Sequence, residues 1–267
     1  FLRLDSKGEI SSDASLNSQL NGTKGKGGNV RVNAGQLELD GGRISSSTFG
    51  EGNAGNIVVT ADSIKFSNNG AVTSLTLAKA TGEGGNVVLN GEIIEINDGF
   101  VSSKTMSRGN AGNVGVTASI LIMTNDGEIS SGSGNSKDKT ATGHGGIVSI
   151  NTENLDISNS FIIVDTFGTG NAGQVNINTD SLQLHEDGFI SSSTLGSGHA
   201  GDITVTANVL TAHGNGNTFI DLSSKKLTGV FSGAGPESSG QPGNININTR
   251  NTIHLNNGAQ ISIKNDA

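Results

Sequence analysis

Five histidines, at positions 144, 185, 199, 213 and 254, are the side chains of this chain best suited to holding a metal or moving a proton. A zinc site needs three or four His, Cys or carboxylate ligands converging on one point. The chain has no Cys, no HExxH pair and no Ser, His and Asp in a spacing that suggests a triad. His185 and His254 fall in second-strand or turn positions of the repeat described below, and the other three fall in corners or loops. Scattered surface histidines are the better reading, and no catalytic, cofactor or metal role is assigned to them. "NDG" at 97 and 125 and "EDG" at 186 carry oxygen ligands. They are turn residues first, because the calcium-binding nonapeptide GGxGxDxUx is not reproduced.

The other chemistry to weigh is glycan cleavage. It needs two carboxylates, or a carboxylate with Arg or Lys, converging on one exposed surface. Sugar subsites also favour stacking aromatics. The outward charged and polar positions here are Arg3, Glu38, Lys65, Glu95, Asp156, Gln183 and His254, in a mixed column. Glu95 and Asp156 lie two repeats apart, about 10 Å if each repeat is one rung of a stack. Trp and Tyr are absent. A carbohydrate-active lyase or hydrolase is therefore the alternative reading. It predicts three or more titratable side chains in one cleft, whereas a structural shaft predicts them dispersed.

The elements that carry these residues repeat. "GEGNAGNIVVTA" at 50 returns as "RGNAGNVGVTA" at 108, "TGNAGQVNINT" at 169, "SGHAGDITVTA" at 197 and "SGQPGNININT" at 239. The last corner glycines are Gly28, Gly55, Gly85, Gly112, Gly146, Gly173, Gly201 and Gly243, at intervals of 27, 30, 27, 34, 27, 28 and 42. Each longer interval reads as the 27-residue unit plus an insertion. A fixed period of this size marks a solenoid. Within a unit, Ile57 and Val59 alternate with polar or outward residues, Ile64 and Phe66 flank Lys65, and "NNG" turns the chain into "AVTSLT". Alternation over four to six residues is a half-buried strand, and Asn-Gly and Asp-Gly are turns.

The unit is thus three short strands and three corners, with no helical stretch. Stacked directly, such units give an all-β, right-handed parallel β-helix of roughly eight to nine coils, a single solenoid over residues 1–267. One coil cannot stand alone, since ordering its backbone costs about 1–2 kcal/mol per residue. Neighbouring coils must close its core. Val30, Ile57, Val87, Val114, Val148, Val175, Ile203 and Ile245, two residues after each corner glycine, should form one buried column. The corner glycines would supply positive φ and close approach. Asn29, Asn56, Asn86, Asn113 and Asn244 share one column, with Gln174 and Asp202 as substitutes. They should bond up the stack as a structural ladder.

Composition removes other classes. The 41 Gly do not recur every third residue, which excludes collagen. No apolar run has membrane-helix length, and the near absence of aromatics argues against a membrane barrel. A net charge of −8 argues against a nucleic-acid partner.

The pattern GxGNAGNIxVxA…LxLxxGxxISSSTxGxGNAG, over nearly the whole chain, resembles the repeats of filamentous-haemagglutinin-like exoproteins of two-partner secretion. The variety common in filamentous cyanobacteria is especially close. The resemblance implies a β-helix exported through an outer-membrane partner and secreted or displayed at the cell surface. The family's N-terminal secretion domain has no match here. The function expected is a non-catalytic structural or adhesive shaft, with a cell-surface or carbohydrate receptor and no cofactor.

The remaining expectations concern ends, hydroxyls and insertions. Leu2 and Leu4 correspond to Leu37 and Leu39, and "IHLNNGAQISIKNDA" stops within the third side of a coil. These uncapped ends suggest a piece of a longer chain or fibre, with end-to-end self-association. The "ISSST" third strands could form an exposed hydroxyl face, but inward hydroxyls bonding the backbone fit a tight corner better. Three insertions are long, at 12–27, 131–145 and 223–240, and the last two should protrude without forming rungs. In the last of these, Leu227, Val230 and Phe231 form the candidate contact loop.

Overall fold

The computed structural model describes residues 1–14, 25–77, 80–135, 140–216, 227–235 and 238–265. The described chain is a parallel β-helix without helices. Ten strands stack in one sheet and nine in the other, every pairing is parallel, and each strand bonds the equivalent strand of the next repeat. The first repeat begins with Leu2–Leu4 and Glu9–Ser11, which pair with Val30–Asp40 and Arg43–Ser45 of the second. The register places Leu2 against Leu37 and Leu4 against Leu39.

Each coil has two hydrogen-bonded faces, where the sequence suggested three. The first two expected strands run together as one long strand, such as Ile57–Ser67, Val114–Thr124 or Gln174–His185. In Ile57–Ser67 the buried residues are Ile57, Val59 and Ala61, then Ile64 and Phe66. The three-residue step from Ala61 to Ile64 turns the strand's inward face without breaking the ladder. Only beside Gly91 do the two halves separate, into Val87–Asn90 and Ile93–Asn97. The third expected side is the short sheet, and a column of single bridges from Ala14 through Thr48, Thr76, Thr105, Ser133, Thr166 and Thr194 to Ala234 extends it.

The core is the interior of this tube. Val30, Ile57, Val87, Val114, Val148, Val175 and Ile203 are buried in a continuous register. Ile245, in the last rung, is half-buried and packs against them. A fully buried aliphatic side chain contributes about 1.5–3 kcal/mol, so every rung added covers and stabilises the one below.

The corner glycines owe their identity to close approach alone. None of the eight has a positive φ, contrary to half of the sequence argument. A methyl group on Gly173 would lie 1.8 Å from the Gly146 carbonyl oxygen, and one on Gly85 would lie 2.1 Å from that of Gly55. The left-handed backbone sits instead in the turns between the long and short faces. Asn68, Asn69, Asp98, Asn125, Asp126, Asn159, Glu186, Asp187 and Asn257 hold it, with φ between 43 and 66°. Asn and Asp tolerate that region better than other side-chain-bearing residues.

Buried serines tie the corners to the short face. Ser103 Oγ donates to the Gly85 carbonyl at 2.7 Å and accepts from the Gly112 N–H at 3.0 Å. Ser46, Ser74, Ser131, Ser192 and Ser232 make the same two bonds in their own rungs. Val164 interrupts the column, and there the Gly173 N–H bonds the Val164 carbonyl instead. These serine hydroxyls therefore serve the backbone, and the buried hydroxyls beside them present no flat exposed face.

Two insertions differ from expectation. Gly229–Ala234 is a strand of the short sheet, between Phe189–Ser191 and Gln260–Asn265. The extra length of that repeat accordingly precedes its third side, at 214–228. In the stretch 131–145, Ser131 and Ser133 belong to the inward hydroxyl columns and Ala141 is buried. Residues 15–24 of the first insertion, 136–139 of the second and 223–226, 236 and 237 of the third lie outside the described residues.

Candidate functional site

A stack of rungs turns each sequence position into a column, so side chains meet mainly those one repeat away. The asparagine column shows what this does. Asn29 Oδ1 accepts the Asn56 N–H at 2.9 Å, Asn56 Oδ1 the Asn86 N–H, and Asn86 Oδ1 the Asn113 N–H. Asn113 Oδ1 accepts the Ile147 N–H at 2.8 Å, and there the column breaks, because Ile147 has no acceptor. It resumes where Asp202 Oδ1 accepts from the backbone and the amide of Asn244. The ladder thus runs from side chain to backbone in place of the expected amide-to-amide stacking. It satisfies corner N–H groups that the sheets cannot reach.

A second ladder lies two residues before each corner glycine and escaped the sequence reading. Asn53, Glu83, Asn110, His144, Asn171, His199 and Gln241 follow one another, each of the first six accepting the next one's N–H at 2.8–3.0 Å. His144 and His199 accept through Nδ1. They are members of a structural column and not scattered surface residues. Their fixed offset from the glycines was the signal that could have shown it.

Charged side chains pair along the shaft. Arg3 bridges Glu38 at 3.4 Å and Asp40 at 2.6 Å, Lys65 faces Glu95 at 3.4 Å, and His185 Nε2 contacts Asp156 at 2.7 Å. Hydrogen bonds from Asn68 and Ser67, aided by Arg3, hold Asp40 below the usual carboxylate range. The outward column also contains Ile122 between Glu95 and Asp156, and Thr211 before His254. On the short sheet Lys104 pairs with Glu128 at 2.5 Å. Close by, Asp165 is buried, accepts from the Ser191 hydroxyl and the Ser193 N–H at 2.6 Å each, and is pushed up to about 6 by burial. No group of three or more His, Asp and Glu assembles in metal-binding geometry among the described residues.

Leu227, Val230 and Phe231 do not form a contact surface. Val230 takes the inward place of Ile190 in the core, and Leu227 and Phe231 are buried in a separate cluster with Phe161 and Phe189. The rings of Phe161 and Phe189 are 4.8 Å apart, and those of Phe189 and Phe231 are 6.4 Å apart. Their apolar area is more favourable against the phenylalanines on the outer side of the short sheet than in water. "GVFSGA" did not read as a strand because its alternation is short and framed by glycines.

Two open hollows lie among the described residues. One, of about 400 Å³, follows the outer long face around Gly115 and is lined by backbone and by small polar or aliphatic residues such as Asn151 and Thr204. The other, of about 390 Å³, lies on the outer short face and brings together Lys7, Glu9, Arg43, Thr73, Leu75 and Phe100. Comparison with protein-family models, curated proteins and solved structures found no match for this chain.

Proposed function

We propose that the protein is a non-catalytic extracellular shaft that holds length and presents surfaces for adhesion, as the repeats of haemagglutinin-like secreted proteins imply. The observation that carries this reading is the uninterrupted stack. Its backbone ladders, inward aliphatic column, glycine contacts and two side-chain ladders all run in one direction, along the axis. Nine rungs at about 4.8 Å give a rod roughly 40 Å long. Such a stack resists bending because any bend must open ladder bonds on one side. The last described rung exposes Ile253, Leu255 and Ile263, an apolar surface at one end of the stack. Export through an outer-membrane partner and display at the cell surface belong to this proposal through the resemblance alone.

Beads coated with the folded chain, applied to cell surfaces beside beads carrying its heat-denatured form, test the adhesive role. Incubation with acidic and neutral polysaccharides tests the enzymatic alternative. Retention that depends on the fold, without release of shortened chains, is the expected result. Depolymerisation, or no retention on any surface, refutes the proposal.

A further inference from the structure

We infer that the hollow on the outer short face is a binding site for a saccharide residue that carries a carboxylate. Its floor follows from the register. Glu9, Arg43, Ala71 and Phe100 succeed one another on the outward side of the short sheet, one per rung. Ala71, itself buried, is the small member, and Arg43 and Phe100 flank it two rungs apart, about 10 Å. The cavity of about 390 Å³ between them falls in the range of small-molecule sites.

The groups around it are of the kind a uronate needs. Neither Arg43 nor Lys7 forms an ion pair with a described residue. Arg43 offers the planar fork that fits a carboxylate with two parallel hydrogen bonds. Half-buried Phe100 and Leu75 supply an apolar wall, against which the C–H face of a pyranose can lie. Buried Thr73 completes the lining beneath them. Glu9 can accept from a sugar hydroxyl. With Lys7 and Arg43 against Glu9, the lining carries an excess of one positive charge on a chain of net charge −8. That excess matches one carboxylate, whereas a neutral sugar would leave the cations unused.

Titration of the folded chain with digalacturonate, followed by amide chemical shifts, tests the site. The dimethyl ester of digalacturonate and inorganic sulfate serve as comparison probes. Shifts confined to the rungs of Arg43, Ala71 and Phe100 are expected with digalacturonate, with at least tenfold weaker response to the ester. Arg43→Ala should weaken binding about tenfold or more, and Phe100→Ala should weaken it as well. Arg31→Ala, on the long face, should not. Circular dichroism of each variant confirms that the fold is retained. No shift at millimolar digalacturonate, equal binding of the ester or of sulfate, or undiminished binding by the Arg43 variant would overturn the inference. The inference does not rest on the adhesive role: saccharide binding without cell retention would support the site and refute adhesion.

Discussion

Replacing Gly173 by Ala probes the packing that sets the shape of the coil. The added methyl would lie 1.8 Å from the Gly146 carbonyl oxygen. A comfortable C···O contact is about 3.3 Å, so the two rungs must part locally by about 1.5 Å. The nearest ladder bonds are Gln174 N–H to Gly146 O at 3.2 Å and Gly145 N–H to Asn171 O at 2.9 Å. Opened by that amount, neither remains a hydrogen bond. Each loss costs about 1 kcal/mol, and overpacking adds about 1–3 kcal/mol. Gly173→Ala should therefore destabilise the chain by about 3–5 kcal/mol. Gly115→Ala is the matched control. Its methyl would point to the outer face, with Val88 Cγ2 the nearest atom at 3.9 Å. Replacing a strand glycine by Ala without a clash gains about 0.5–1 kcal/mol. Urea unfolding by far-ultraviolet circular dichroism is the assay, since the chain has no Trp or Tyr. If Gly173→Ala unfolds with the parent, or Gly115→Ala is equally damaging, close approach is not what selects the corner glycines.

Other consequences are as direct. Ser103→Ala removes bonds to the Gly85 carbonyl and the Gly112 N–H inside the core; it should cost about 1–3 kcal/mol and speed hydrogen exchange at Gly112. Asp165 has its folded pKa raised to about 6, so the folded state binds the proton more tightly than the unfolded one. Its contribution is full below about pH 4 and is lost as pH rises through about 6. Asp165→Asn should abolish this component, up to about 3 kcal/mol, seen as a smaller difference between Tm values at pH 4 and pH 7 than the parent shows.

Much of this architecture was legible because a solenoid repeats its local chemistry. The step from Gly55 to Ile57, seen again from Gly85 to Val87 and from Gly173 to Val175, reports a constraint renewed in every rung. That constraint fixed the register of the core and the place of the turns. The two-face cross-section was less visible, because a three-residue step such as Ala61 to Ile64 looks like a strand boundary. Backbone bonding from rung to rung carries the strand through it. The strand Gly229–Ala234 was read as loop for the opposite reason. Val230 and Phe231 find their partners in Ile190 and Phe189, some forty residues away, and no local pattern announces them.

The sequence by itself determined the period, the parallel stacking and which aliphatic residues face inward, since these follow from spacing within one unit. Only the tertiary structure decided why the corners are glycine, because the atoms that forbid a methyl group belong to the neighbouring rung. It also turned polar residues into acceptors for the next rung's backbone, including His144 and His199. The candidate saccharide site arises in the same way. Arg43, Thr73 and Phe100 lie about thirty residues apart in the chain, in unrelated local contexts, and come together only because successive repeats are stacked a few ångströms apart.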